Sequence, residues 1–323
     1  MLQRLWTAIW KYLYWPICRV YARYCVGDRP ADLNMRLLCG LFFIKTHRYW
    51  PHFAHPRSFI EKIWARMLFE RDPAWTLFSD KLRVREYVAS RAGEHVLVPL
   101  LWSGEDPSAI PFDRLPQKFV IKANHGCDYN ILVRDKTRLH QREVRRRLTA
   151  WLGTNYCQDC ALGVSWGYKH VQPAIMVESF LEENGQVPPD YKFFCYDGRM
   201  EFLKIDFNRF ENHSEAFFDR EMNRLSFYGK GISPYDQEVR LPDNFQEMVR
   251  VAEALSAGID FIRVDLYSVS GRIYFGELTC YHGGGMISLC PREYDDLLGK
   301  DWHYVRSSHA LASKSATAIS SVR

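Results

Sequence analysis

Two extended stretches near the carboxyl end constrain this chain most. Phe261-Ile-Arg-Val-Asp-Leu266 and Ile273-Tyr-Phe-Gly-Glu-Leu-Thr279 read as strands, and Ser270-Gly271 between them marks a tight turn. Side chains alternate along a strand. Phe261, Arg263 and Asp265 therefore share one face of the first, and Phe275, Glu277 and Thr279 one face of the second. Centring the hairpin on Gly271 sets Asp265 opposite Glu277. Directly opposed side chains have Cβ atoms about 4.5–5.5 Å apart, where like charges repel. Two carboxylates so placed call for a cation or a shared proton. Hard oxygens on neighbouring strands suit Mg²⁺, with phosphates and water completing its octahedron. A slip of one residue would send the two acids to opposite faces.

Other strands precede this pair. Lys118-Phe-Val-Ile-Lys-Ala123 and Asn130-Ile-Leu-Val-Arg-Asp135 flank the loop Asn124-His-Gly-Cys-Asp-Tyr129. A short glycine-containing loop can present backbone N–H groups to a phosphate, and Lys122 is a fitting counter-charge. One glycine alone fits an ordinary hairpin equally well. Ala174–Leu181 is a strand running into a turn. Asp190–Tyr196 and Arg199–Phe207 form a hairpin across Asp197-Gly198. Lys192 shares a face with Phe194; it suits a phosphate, a carboxylate or a sheet edge.

The chain has 323 residues, 47% hydrophobic and 15% aromatic, enough to bury a core. Its net charge of +5 is too weak to point to nucleic acid. Nine scattered cysteines fit a reducing compartment, and the Cys157–Cys160 pair lacks the second pair of a zinc site. The apolar stretch Leu37–Ile44 is far short of a membrane span, and Arg4 and Lys11 interrupt any secretory signal. Leu2, Leu5, Trp6, Ile9, Trp10, Leu13, Tyr14 and Ile17 recur at steps of three and four. With Arg4, Lys11, Arg19 and Arg23 beside them, they describe an amphipathic helix. It lies on an anionic bilayer or docks on the protein's own core, and Pro16 kinks or ends it. Ser58-Phe-Ile-Glu61 is a capping box opening a helix to about Glu70. Asp80 opens another, Lys81 to about Arg91, closed near Gly93. A strand at Val96–Trp102 and a polar loop to Pro116 follow. A helix at His140–Leu152 clusters Arg142, Arg145, Arg146 and Arg147, on a solvated face or towards an anion. The Ser- and Ala-rich tail from Ser307 is expected to fray.

In this order the pieces resemble the ATP-grasp superfamily. Across residues 50–300 the wording is similar to its TupA-like branch, found in bacterial polysaccharide-synthesis loci. The matching phrases are Asp80-Lys81, Phe112-Asp-Arg-Leu-Pro116, Lys118–Gly126, Val177-Glu-Ser-Phe-Leu181, Asp190-Tyr-Lys192, Phe194-Cys-Tyr-Asp-Gly198, Arg263-Val-Asp265 and Gly276-Glu-Leu-Thr279. The resemblance implies an α+β ATP-grasp fold, with antiparallel sheets holding ATP between two lobes. It implies phosphate-approaching Lys81 and Lys122, a closing loop with Asn124, His125 and Gly126, and an adenine-reading hinge at Glu178–Leu181. Asp190 falls where a carboxylate often holds the ribose, Lys192 where it reaches a phosphate, and Arg263 where an arginine faces the transferred phosphoryl group. Asp265 and Glu277 resemble the magnesium ligands. Thr279 stands where many members have an Asn ligand, a feature of the TupA-like branch.

The organisation expected is an amphipathic segment at 1–50, a pre-ATP-grasp region at 51–117, a small lobe at 118–190, a large lobe at 191–306 and a tail at 307–323. The resemblance implies an ATP- and Mg²⁺-dependent carboxylate–amine ligase working through an acyl phosphate. Its acceptor would be a cell-surface polysaccharide or lipid-linked glycan. The enzyme would be cytoplasmic, held peripherally on the inner face of the bacterial membrane through residues 1–24. Alternatives are a kinase acting on a sugar hydroxyl, a glycosyltransferase, and a membrane-bound scaffold without catalysis.

Overall fold

The computed structural model describes Tyr14, Pro16, Ile17, Val20 and residues 28–159, 163–209 and 212–304. Most of the amphipathic segment, Cys160 and the tail from Ser307 lie outside the described residues.

Two antiparallel sheets organise the chain. The smaller contains β1 (Leu100–Gly104), β2 (Phe119–Ala123), β3 (Asn130–Val133) and β4 (Ile175–Ser179), in the order β1-β4-β2-β3. The larger contains β5 (Asp190–Tyr196), β6 (Arg199–Phe207), β7 (Ser214–Asp219) and β8 (Arg224–Leu225). A small pair forms between β9 (Tyr228–Gly229) and β13 (Leu289–Cys290). Strands β10 (Ser233–Pro234), β11 (Ile262–Val269) and β12 (Arg272–Thr279) complete the larger sheet, ordered β10-β7-β6-β5-β11-β12 with β8 on β7. The β10–β7 pairing is parallel.

Helices cover these sheets: α1 (Leu33–His47), α2 (Phe59–Phe69), α3 (Pro73–Ser79), α4 (Val84–Ala92), α5 (Gln141–Leu152), α6 (Tyr156–Asp159), α7 (Phe245–Ser256) and α8 (Glu293–Lys300). Helix α5 buries Val144, Leu148 and Trp151 with Phe119, Ile121, Ile175 and Val177 of the smaller sheet. Helix α7 does the same for the larger sheet with Phe245, Met248, Ala252 and Leu255. The Ser58 capping box forms as expected, with Ser58 Oγ accepting from Glu61 N. Every residue of α2 is buried. Its Arg66 donates to Phe261 O at 2.8 Å and Asp260 Oδ1 at 2.5 Å, and lies over the Trp75 ring.

Three expectations need correction. The strand at Val96–Trp102 is displaced: a 3₁₀ turn occupies Glu94–Val96 and β1 begins at Leu100. Because β1 pairs with β4, it belongs to the smaller sheet, and a boundary at 118 would sever it. The helix expected from Lys81 starts at Val84. Asp80 Oδ1 accepts from Leu82 N and Arg83 N, a tight turn that leaves Lys81 ahead of the helix. Finally, the β11–β12 hairpin is not centred on Gly271. It is a two-residue turn with Ser270 and Gly271 both at positive φ, pairing Val269 with Arg272 and Leu266 with Phe275. Continued unbroken, that register would put Asp265 opposite Gly276. A bulge opposite the Asp265–Leu266 step adds one residue to β12 and restores the pairing of Asp265 with Glu277.

Of the Arg cluster on α5, Arg146 pairs with Glu143, while Arg145 and Arg147 lie over the Phe112 and Trp151 rings. Those contacts favour the solvated-face reading over an anion site.

Candidate active site

Alternation along adjacent strands builds the site. On one face of the larger sheet, Glu277, Asp265, Lys192 and Lys204 stand opposite one another in a row across β12, β11, β5 and β6. A second row, Asp190, Asp206 and Glu215, crosses β5, β6 and β7. Like charges directly opposed would be destabilising. The two rows interlock instead. Lys192 Nζ meets Asp190 and lies 2.7 Å from Asp265 Oδ2. Lys204 Nζ lies 3.1 Å from Asp206 Oδ1 and 2.5 Å from Glu215 Oε2.

Arg263 is the junction of the acidic pair. Its Nε and Nη2 donate to both oxygens of Asp265, at 2.6 and 2.7 Å. Nη2 also donates to Glu277 Oε1 at 2.9 Å, and Nη1 to His282 Nδ1 at 2.8 Å. The Thr279 hydroxyl donates to Glu277 Oε1. Since Arg263 fills Nδ1 as a donor, His282 carries its proton on Nε2. Burial, with Arg263 next, holds this histidine well below its ordinary pKa, so the ring is neutral. Burial opposes charge on Glu277 as well. There Arg263, with Lys81, Lys192 and Arg209, outweighs it and holds the carboxyl at about 2.

A cavity of about 650 Å³ opens between the two sheets over these rows. That is the size of a small-molecule site. The expected site residues Lys81, Lys122, Glu178, Leu181, Asp190, Lys192, Arg263, Asp265, Glu277 and Thr279 all line it. Lys122 pairs with Glu178 at 2.7 Å, and Arg85 holds the other Glu178 oxygen at 3.0 Å. Lys81 Nζ donates to Gly126 O. Asp190 Oδ1 is buried with no hydrogen-bond partner in a wall that otherwise pairs its charges, so it can accept a bond from a ligand.

Asn124 and His125 are placed differently. Both side chains are buried and point away from the cavity. Asn124 Nδ2 donates to Asp80 Oδ1 and Gln172 O, its Oδ1 accepts from Ala174 N, and His125 Nε2 bonds Trp151 O. These residues shape the loop. Gly126 is needed at its tip, where a Cβ would come within 2.8–2.9 Å of the Tyr129 and Tyr156 rings.

The sequence reading missed Lys204, Asp206, Arg209, His213, Glu215 and His282. His213 Nε2 lies 3.0 Å from Asp206 Oδ1 and faces the cavity. The signal for part of this was present: Lys204 and Asp206 alternate with Leu203, Ile205 and Phe207, on the face that Lys192 shares.

Among the described residues no three His, Cys, Asp or Glu side chains converge on a ready-made metal cage. The donor set of two carboxylates and a hydroxyl nevertheless fits Mg²⁺, which keeps one or two carboxylates and takes its other ligands from phosphates and water. Two carboxylates already meeting a single Arg263 nitrogen are close enough to share one ion.

Solved structures similar to this chain include a D-alanine–D-alanine ligase from Bacillus anthracis in complex with ATP. It shows 14% identity over 64% of this chain and 55% of that one, with a TM-score of 0.40. The ATP-grasp ligase PsnB in complex with a minimal precursor shows 13% identity over 71% and 62%, with a TM-score of 0.39. The D-cycloserine synthetase DcsG shows 13% identity over 71% of each chain, with a TM-score of 0.37. This chain thus spans little more than half the length of the first of these ligases. No curated protein matches it. The family of TupA-like ATPgrasp proteins matches residues 61–303, most of the sequence and all of the cavity's charged wall. On that match, the chain belongs to the TupA-like ATP-grasp family.

Proposed function

We propose that this protein is an ATP-dependent carboxylate–amine ligase acting through an acyl phosphate. The observation that carries this reading is the Glu277–Asp265–Lys192–Lys204 row beneath a cavity whose lining also includes Lys81 and Lys122. Phosphoryl transfer asks a protein for position and charge neutralisation more than for covalent help. Lys81, Lys122, Lys192 and Arg263 supply the positive charge. Asp265 and Glu277 would hold Mg²⁺, with Thr279 as a weaker neighbour; the bound ion would neutralise charge on the phosphates. The orphaned Asp190 oxygen suits a ribose hydroxyl. Val120, Leu132, Phe180 and Leu181 give the cavity an apolar part suited to a purine, beside the backbone at Glu178.

In the reaction, a carboxylate oxygen of the substrate takes the γ-phosphoryl group and ADP leaves. An amine then attacks the acyl carbon and expels phosphate, and its proton must go to a base. His213, oriented by Asp206, is a cavity residue able to take it. The loop at Gly126 would keep water from the acyl phosphate. The acceptor is read as a cell-surface polysaccharide or its lipid-linked precursor, on the inner face of the membrane, with residues 1–24 near the anionic bilayer. The same His213–Asp206 pair would serve a kinase acting on a sugar hydroxyl, which is the second reading.

Thermal-shift measurements with ATP–Mg²⁺ and with sugar nucleotides test the first step. Stabilisation by ATP–Mg²⁺ that vanishes in Asp265→Asn and Glu277→Gln is expected. Stabilisation by a sugar nucleotide alone would favour a glycosyltransferase and overturn the proposal. Once an acceptor is found, hydroxylamine traps an acyl phosphate but not a sugar phosphate, separating ligase from kinase.

A further inference from the structure

Among the described residues, ten large apolar side chains are exposed, and six of them fall between positions 17 and 50. Three form one row on α1: Leu33, Leu37 and Leu41, at 61%, 48% and 49% exposure. Steps of four stack side chains on one helical face, and the next step along that row is exposed Lys45. Arg48 and Trp50, both exposed, follow the helix. The Trp50 ring folds back beside the row: a Cβ on Gly40 would stand 4.0 Å from it. Ile17 and Val20 are exposed as well, and Tyr14 fastens their segment to α1 by donating to Leu38 O and stacking on Phe42. Exposed Arg29 lies before the helix and half-buried Arg36 within it.

A core helix turns its apolar row inward. Helix α1 does this too, with Met35, Cys39, Phe42 and Phe43. It therefore carries apolar residues on two faces. An outward row of leucines, an interfacial tryptophan and a basic surround is the pattern of a helix lying in a bilayer surface. The charge chooses among occupants: exposed Asp28 and Asp32 precede the helix, but Arg29, Arg36, Lys45 and Arg48 outnumber them and give a net basic face that complements an anionic lipid surface. They would oppose a second copy of this same basic face.

The inward side of α1 gives the row a functional position. His47 at its end bonds Gly285 O and Ser288 Oγ, at 2.9 and 2.8 Å. Trp64 Nε1 donates to the same Gly285 oxygen. Phe42 lines the cavity, as do Gly283, Gly284, Met286 and Ile287, and Met286 is exposed at 42%. One helix thus joins the outward leucines to this rim of the cavity.

We infer that the Leu33–Leu37–Leu41 face of α1 docks on an anionic bilayer and brings the Gly283–Ile287 rim of the cavity to the lipid surface, where an acceptor arrives attached to lipid. The inference rests on the proposed ligase reading only for what is delivered; docking is independent of it. The test is flotation of the full chain with phosphatidylglycerol–phosphatidylcholine vesicles and with phosphatidylcholine vesicles. Binding to the first, weakened by salt, is expected. The variant Leu33→Ser/Leu37→Ser/Leu41→Ser should lose about a hundredfold in partition, since each leucine forfeits about half of its transferable surface. Its thermal shift with ATP–Mg²⁺ should match the wild type, showing that it folds. Wild-type protein that ignores anionic vesicles, or a triple-serine variant that binds them equally well, would overturn the inference. A wild-type chain that sediments as a dimer, with the variant monomeric, would assign the row to a second copy and overturn it too. Loss of the ATP–Mg²⁺ shift in the wild type would sink the ligase reading while leaving the vesicle result standing.

Discussion

Replacing Glu277 by Gln tests how the acidic pair is held together. In a site built of repelling carboxylates, neutralising one relieves strain and stabilises the protein before any ligand binds. Here Arg263 Nη2 donates to both Asp265 and Glu277, at 2.7 and 2.9 Å, so the loss of charge should be felt as a loss of attraction. The cations around Glu277 pull its carboxyl from the ordinary 4.5 to about 2. At ~1.4 kcal/mol per tenfold change this would be worth a few kcal/mol. The side chain is 38% exposed, and solvent screening reduces the figure to roughly 1–2 kcal/mol. The sign follows from linkage. A carboxyl whose folded pKa is depressed adds stability above its unfolded value near 4.5, and that contribution fades as pH falls towards 2. Urea unfolding without nucleotide should therefore show Glu277→Gln less stable than wild type by that amount at pH 7. The gap should narrow by pH 3. A variant as stable as wild type at pH 7, or more so, would mean that Arg263 does not bridge the pair and that the carboxylates face each other unassisted.

Three further outcomes are expected. Gly276→Ala should cost about 1–3 kcal/mol, read by urea unfolding, and weaken the ATP–Mg²⁺ thermal shift. The new methyl would meet the Tyr267 ring at 3.0 Å and Asp265 O at 3.1 Å, within the bulge that sets the carboxylate pairing. Lys192→Met should destabilise by about 3–5 kcal/mol in the same assay, because Asp190 and Asp265 lose a buried partner; an unchanged midpoint would show that the charges are not paired. Burial, only partly offset by Arg66, raises Glu70 to about 7, so the folded protein keeps a proton that the unfolded chain releases near 4.5. Stability should thus fall as pH rises from about 4.5 to 7, and Glu70→Gln should flatten that slope by roughly 1–3 kcal/mol.

How much of this could be read beforehand depended on where each residue's partners lie. Strands β5 and β6 were legible to the residue, because Asp197-Gly198 punctuates them and both centre residues take positive φ. The pairing of Asp265 with Glu277 was also legible, but for an incomplete reason. The turn itself is one residue tighter, and a bulge at Gly276 supplies the difference. A glycine inside a strand is the sequence mark of such a bulge, though its side of the register emerges only once both strands are paired. The Lys204–Asp206 alternation resembles an ordinary solvated face until β7 pairs beside β6 and sets Glu215 next to Asp206 and against Lys204. His125 and Asn124 looked like phosphate-loop residues because their burial depends on Trp151, Gln172 and Asp80, all distant in the chain. The second apolar face of α1 was invisible for a related reason: a short greasy run looks the same whichever sides of it are covered.

The bulge carries a consequence for how such a hairpin can change length. Lengthening at the Ser270-Gly271 tip would extend a loop beyond the last paired residues and leave the acids aligned. A single insertion between Arg272 and Gly276 would instead shift the register of everything after it and carry Glu277 and Thr279 away from Asp265 and Arg263, whereas a single deletion there would remove the bulge and let an unbroken ladder pair Asp265 with Glu277. Insertions in relatives that keep the same chemistry should therefore gather at the tip and avoid those five positions, and a relative one residue shorter there should carry the same acid pair on a hairpin without the bulge.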